Sequence, residues 1–329
     1  MNTAMQQAIN TGIEDFRKWK QQDCCVLFPL ISDLHSNLTE SDPRNSQRRV
    51  SVDHLRLLFE IAEKTGADFV ADLGDDGFDV PLKTGEECKE LLKRMENICL
   101  GRRTPFIHCI GNHDCFFQFE ADSWGSWLTR MNGNKTGFSI DMNGGYGSYT
   151  IPGKDCCVFF LNTSDGCREG FSEKQLAFLR NGLSVLAPGH TAIVLTHICP
   201  SNRARGKKYR ETRVSARFPE LTDLLNSFAR SGGRLAGVFS GDSHFDYFDF
   251  EDGVNYFVTQ GYGGVSPISE LPPQGRVYHQ YSDLMGRCDS FDSGEFCLIE
   301  LAAVKTEKRE IRIFRLGAGG FNFHRGAKF

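Results

Sequence analysis

Continuous apolar runs alternate with amphipathic stretches along most of the chain. "CCVLFPLIS" (24–32), "ADFVADLG" (67–74) and "PFIHCIG" (105–111) read as strands buried on both faces. Between the first two, "VDHLRLLFEIAEKTG" (52–66) sets Leu55, Leu58, Phe59 and Ala62 at helical spacing and stops at Gly66, where a left-handed cap costs little. Thr84 and Glu87 form a capping box that opens a second helix over 85–99. Residues 3–20 read as a weakly amphipathic helix. The alternation resumes with a strand at 155–163, a helix opened by Ser172 with Gln175 in capping-box position, and a strand at 191–198. A helix (219–232) and a strand (234–241) follow, and the remainder turns to strands at 245–250 and 254–260 and a hairpin from 295–304 to 309–316. Strand and helix in alternation predict a parallel α/β sheet. The segment 115–150, with Trp124, Trp127 and many glycines, has no clear period and reads as an inserted loop or cap.

Composition narrows the class. The chain has 329 residues, 40% hydrophobic and 24% charged, values of an ordinary folded protein rather than a disordered or coiled-coil one. Its formal charge of −4 argues against a surface built throughout for nucleic acid or anionic membrane. No apolar run reaches the ~20 residues of a spanning helix, and residues 1–23 lack the apolar core of a secretory signal, so the expectation is a cytoplasmic protein with no membrane partner. The 12 cysteines sit mostly in apolar segments without a C-x-x-C pair, which predicts reduced thiols packed as small hydrophobes.

Polar residues of metal-ligand type recur where apolar strands end. After the first strand come Asp33 and His35, and after the second Gly74-Asp75-Asp76. Gly111-Asn112-His113-Asp114 closes the third, Thr196-His197 a later one, and Gly241-Asp242-Ser243-His244 the last of the series. In a parallel sheet the C-terminal strand ends lie along one edge, where ligand crevices form, so these residues should converge. Each motif alone is weak, since D-x-H or a terminal histidine is more often a cap or a satisfied loop residue.

The ordered set D-x-H, G-D, G-N-H-D, T-H and G-x-x-H over residues 24–250 resembles the calcineurin-like metallophosphoesterase family, with G-N-H-D its most specific element. The resemblance implies a two-sheet α/β/β/α sandwich in one catalytic domain (core 24–316), with 115–150 and 200–217 as loops shaping the pocket. It implies metal-dependent hydrolysis of a small-molecule or nucleotide phosphate ester. Asp33, His35 and His244 would hold one divalent ion, with Asp75 bridging to a second that Asn112 and His197 also hold. Two cations about 3.5–4 Å apart lower the pKa of a shared water enough to yield hydroxide near neutral pH. His113 would be the histidine that is not a ligand and faces the leaving group, with Asp114 behind it fixing the imidazole tautomer.

The fifth motif departs from the family's usual G-H-x-H, with Asp242 in place of the first histidine. As a ligand, Asp242 would favour Mn²⁺ or Fe²⁺ (or Mg²⁺) over zinc and lower the site's positive charge by one unit; otherwise it caps the turn. The basic stretch after His197 carries Arg203, Arg205, Lys207 and Lys208, placed to grip substrate phosphates unless it is only a solvated loop, and Arg44, Arg48 and Arg49 could extend the same rim. His108, inside a strand, reads as a satisfied sheet position, and Asp76 is given no role. Two rivals to the hydrolase reading stand: a regulatory or binding protein that kept the fold, and a nuclease acting on nucleic acid.

Overall fold

A computed structural model describes residues 3–20, 25–36, 51–77, 85–114, 123–133, 135–165, 170–201, 217–243, 247–259, 276–277, 299–316 and 324–329. Two mixed sheets form its centre. In the first, β1 (Val26–Ile31), β2 (Val70–Asp72) and β3 (Phe106–His108) run parallel. β12 (Glu300–Lys305), β13 (Glu310–Arg315) and β14 (His324–Lys328) extend it antiparallel from the free edge of β1.

The second sheet has β6 (Cys156–Phe160), β7 (Thr191–Leu195), β8 (Arg234–Ser240) and β10 (Val254–Val258) as a parallel centre. β4 (Phe138–Ile140) and β5 (Gly147–Thr150) lie on one side, β9 (Tyr247–Glu251) and β11 (Arg276–Val277) on the other.

The inner faces meet through aromatic side chains. Phe28 of β1 stands edge-on to Phe239 of β8 at 5.1 Å, and Phe69 edge-on to Tyr149 of β5 at 6.2 Å. Period-two alternation sorts each strand's side chains between layers: Ile193 and Leu195 enter the core between the sheets, while Ala192 and Val194 face the outer cluster. That outer cluster takes Leu176, Leu179 and Leu183 from α5 (Glu173–Ser184) and Leu221 and Leu225 from α6 (Phe218–Arg230). Ser172 caps α5 by accepting from the Gln175 N–H, as the capping box requires. On the far side α2 (His54–Thr65) ends at Gly66 with φ 69°, and α3 (Gly85–Cys99) follows β2. The result is the two-sheet sandwich flanked by helices that the family resemblance implied.

Two expectations change. α1 (Thr3–Lys20), read as only weakly amphipathic, has a distinct apolar face: Ile9, Ile13 and Phe16, at i, i+4 and i+7, are buried, and Phe16 packs on Phe314 of β13 at 5.8 Å. The described part of 115–150 is not a loop either. It forms α4 (Trp124–Asn132), capped by Ser123, and the strands β4 and β5 that lengthen the second sheet, with Trp127 buried in the core. Strands of three and four residues are too short to display a period, which is why the pattern missed them.

The thiols behave as expected where described. Cys25, Cys99, Cys109, Cys156, Cys157 and Cys199 are buried, and burial pushes the Cys99, Cys109, Cys156 and Cys157 thiols up, away from the reactive thiolate. Among the described residues no helix is long and apolar enough to cross a membrane.

Candidate metal centre

The ends of β1, β2, β3, β7 and β8 lie along one rim, and backbone hydrogen bonds lock their turns together. Asp33 N–H donates to the Gly74 carbonyl (2.8 Å), His35 N–H to that of Asp75 (2.8 Å), and Gly241 N–H to that of His197 (2.8 Å). Glycine is needed where these turns touch. A Cβ on Gly111 would sit 2.0 Å from Asp75 Oδ1, and one on Gly241 only 1.8 Å from Ser32 Oγ.

The side chains converge as the strand-end pattern predicted. Asp75 Oδ2 is the hub: His197 Nε2 lies 3.0 Å away, His113 Nε2 3.7 Å and His35 Nε2 3.9 Å. Asp33 Oδ1 is 3.8 Å from His35 Nε2 and 4.0 Å from His197 Nε2, and Asp242 Oδ1 is 3.9 Å from His197 Nε2. Asp33, Asp75 and His197 thus offer donor atoms within one ion's reach, and His35, Asp75 and His113 offer a second such group sharing Asp75. Asn112 is buried beside them, between Gly111 and His113.

Tautomers test whether these residues suit cations. A carbonyl can only accept, so His197 Nδ1–H donates to Leu73 O at 2.9 Å and His35 Nδ1–H to Gly77 O at 3.2 Å. In the neutral ring each Nε2 then carries a lone pair aimed at carboxylate oxygens, an arrangement that only a proton or a cation makes favourable. The protonation equilibria show the same tension. Burial raises the Asp75 carboxyl, His197 pulls it part of the way back, and Asp114 and Asp33 push it up again. Burial would depress His197, but Asp75, Asp33 and Asp242 outweigh it and hold its proton well above the usual imidazole range. The donor set fits divalent metals, which take the place of that proton.

Backbone strain is concentrated at the same place. Of seven described non-glycine residues with positive φ, four are Asp33 (54°), His35 (41°), Asp75 (61°) and Asp242 (64°). Left-handed backbone costs a side-chain-bearing residue about 1–3 kcal/mol, so the four together cost several kcal/mol, comparable to what burying a few core Leu or Phe side chains supplies. The strain turns each side chain off its strand and into the rim.

One neighbour escaped sequence reasoning. Ser32 Oγ donates to Asp33 Oδ2 at 2.5 Å, and the Asp242 N–H donates to the same oxygen at 3.1 Å, leaving Oδ1 to face the histidines. A serine closing an apolar run was the only available signal. Asp114 takes a different place from the expected one. Its carboxylate accepts the N–H groups of Asp75 (2.8 Å), Asp76 (2.9 Å), Gly77 (3.2 Å) and Gly111 (2.9 Å), so it acts on the turn that carries Asp75. His113 is fixed instead by its own N–H, which donates to Asp75 Oδ1 at 2.8 Å. His244, Arg203, Arg205, Lys207 and Lys208, together with Arg44, Arg48 and Arg49, lie outside the described residues.

Five strand ends of two facing sheets presenting carboxylates and imidazoles to one rim define a class, and sequence comparison agrees: the calcineurin-like phosphoesterase profile matches residues 28–246. The chain belongs to that family. No curated protein matches it by sequence. Among solved structures, a dimetal phosphatase from Danio rerio superposes with a TM-score of 0.63 at 14% identity, covering 92% of this chain and 98% of that one. The GAP50 anchor of the Plasmodium inner membrane complex gives a TM-score of 0.53 at 13% identity, covering 93% and 89%. A purple acid phosphatase from yellow lupin (Lupinus luteus) seeds gives 0.54 at 11% identity, covering 93% of this chain and 54% of the plant enzyme. At these identities the likeness is one of fold.

Proposed function

We propose that this chain is a cytoplasmic phosphoester hydrolase working on a small-molecule or nucleotide phosphate at a pair of divalent cations. The observation that carries the reading is the hub at Asp75 Oδ2, with three imidazoles within 4 Å and Asp33 alongside. Asp33, His35 and His244 would hold one cation, Asn112 and His197 the other, with Asp75 between them. The cations supply Lewis acidity and activation of water. Asp242 joins the second group in this reading, and its added carboxylate favours manganese or iron.

The protein's own groups do the rest. Ser32 Oγ–H and the Asp242 N–H hold Asp33 Oδ2, so the other oxygen cannot swing away. His113 is the most exposed of the three described rim histidines, its side chain 13% accessible against 6% for His35 and 0% for His197. It is therefore the one able to pass a proton to a departing alkoxide. The basic segment that follows Ser201 in sequence would grip the phosphate through Arg203, Arg205, Lys207 and Lys208.

Metal analysis combined with a panel of aryl monoesters, diesters and cyclic nucleotides tests the proposal, and hydrolysis of at least one class by the Mn²⁺-loaded protein is the expected result. One observation favours a second reading: a neighbour of similar fold is described as an anchor, and here a carboxylate replaces an imidazole at Asp242. Two bound metals with no turnover on any ester would select that binding role.

Two variants separate the residue roles. His113→Ala should lower kcat by about 10²–10³-fold with metal content unchanged, as loss of a proton donor predicts. A fall in bound metal would make His113 a ligand, which its 3.7 Å approach to Asp75 permits. Asp242→His should move metal preference toward zinc in competition dialysis; an unchanged preference and stoichiometry would leave Asp242 a turn cap.

A further inference from the structure

Behind the rim, on the opposite side of the β2 turn, lies a second polar cluster that the proposed reaction does not use. Asp72 ends β2, His108 ends β3 opposite it in register, and Asp76 follows Asp75 in the turn. All three are fully buried. His108 Nδ1 lies 3.5 Å from Asp72 Oδ2 and 3.5 Å from Asp76 Oδ2. Among the described residues, Asp72 Oδ2, both oxygens of Asp76 and both ring nitrogens of His108 have no hydrogen-bond partner. The other side of the ring faces Asp114 Oδ2, 3.6 Å from Nε2. Trp124 stacks on the imidazole at 5.3 Å and Trp127 meets it edge-on at 5.7 Å, closing the cluster with apolar surface.

Two carboxylates and an imidazole sealed in this way are costly unless something sits between them. A proton is a poor filler, because hydrogen-bonded N and O atoms close to about 2.7–3.2 Å, and these separations are longer. They suit a coordination shell. Donors each about 2.1 Å from a tetrahedral ion stand about 3.4 Å apart. Asp114 Oδ2, beyond hydrogen-bond length at 3.6 Å, still favours a proton on Nε2 by its charge, which leaves the Nδ1 lone pair for the ion.

We propose that Asp72, Asp76 and His108 form a separate buried site for a divalent ion of the zinc class, tying the β2 turn to β3 behind the catalytic rim. One nitrogen and two carboxylate oxygens in a dry pocket suit zinc better than magnesium or calcium, which need more oxygen donors and water. The adjacent acids Asp75 and Asp76 would then serve opposite faces of one turn.

Crystals of the full chain loaded with Zn²⁺ and dialysed against metal-free buffer decide the matter through anomalous difference maps on either side of the zinc edge. The expected result is a peak enclosed by Asp72, Asp76 and His108, distinct from any at Asp33, Asp75 and His197. In crystals of Asp76→Asn grown alike, that peak should be lost and the rim peaks retained. Zinc at the rim alone in the unaltered protein would overturn this site and leave the hydrolase reading intact, the cluster then being held by an imidazolium. Zinc at the buried cluster alone would uphold this site and leave the rim to be judged with Mn²⁺, which its carboxylates favour. No zinc at the buried cluster, whatever the rim holds, would overturn this site.

Discussion

Asp75→Asn should reduce phosphoester turnover by about 10⁴-fold or more and lower bound metal by at least one ion per chain, while far-ultraviolet circular dichroism stays unchanged. The substitution is isosteric, and the amide oxygen can keep the bond from the His113 N–H that Asp75 Oδ1 now accepts. What changes is the atom facing His197, His113 and His35 at 3.0, 3.7 and 3.9 Å. An amide –NH₂ there has no lone pair for a cation and adds donor hydrogens where positive charge must gather. On the proposed reading, losing a bridging ligand would remove several kcal/mol of transition-state stabilisation, and about 6 kcal/mol corresponds to more than four decades in rate. Burial and its acidic neighbours already raise the Asp75 carboxyl, so the native residue ionises fully only in the company of positive charge. Asparagine removes the charge that recruits it. Activity within tenfold of the unaltered protein, with both metals retained, would remove Asp75 from the bridging position.

That the centre could be anticipated follows from where its residues sit. β1, β2, β3, β7 and β8 are buried along nearly their whole length, so a carboxylate or imidazole just past each apolar run stands out. Parallel strands then bring Asp33, Asp75, His113, His197 and Asp242 to one edge whatever their separation in sequence. The backbone that aims them was not legible, because left-handed φ at Asp33, His35, Asp75 and Asp242 arises from the joining of five turns and leaves no mark in residue type beyond a mild preference for Asp. Nor was the non-local closure of the first sheet, in which β12 pairs antiparallel with β1 across most of the chain. His108 illustrates the limit well. A lone histidine in an apolar strand reads as a satisfied core residue until the register places Asp72 opposite it and the turn brings Asp76 back to the same ring nitrogen.

Asp114→Asn should destabilise the protein by about 3–5 kcal/mol in urea unfolding and, even where folded, weaken metal binding at the rim. Asp114 is fully buried and spends both oxygens on backbone donors: Oδ2 on Asp75 and Gly111, Oδ1 on Asp76 and Gly77. Whichever way the asparagine amide is turned, its –NH₂ must face two of those N–H groups, leaving two buried donors unsatisfied at about 1–3 kcal/mol each. The remaining pair loses the strength that an ionised acceptor gives. The turn freed in this way carries Asp75 in left-handed backbone at φ 61°, a conformation held only while its surroundings impose it. Relaxation of that turn moves the hub carboxylate, so metal affinity falls although no ligand has been replaced. His113→Ala, by contrast, should leave the urea midpoint nearly unchanged. Equal midpoints for Asp114→Asn and the unaltered protein would mean that the carboxylate does not hold the turn, and the strain at Asp75 would then need another source of support.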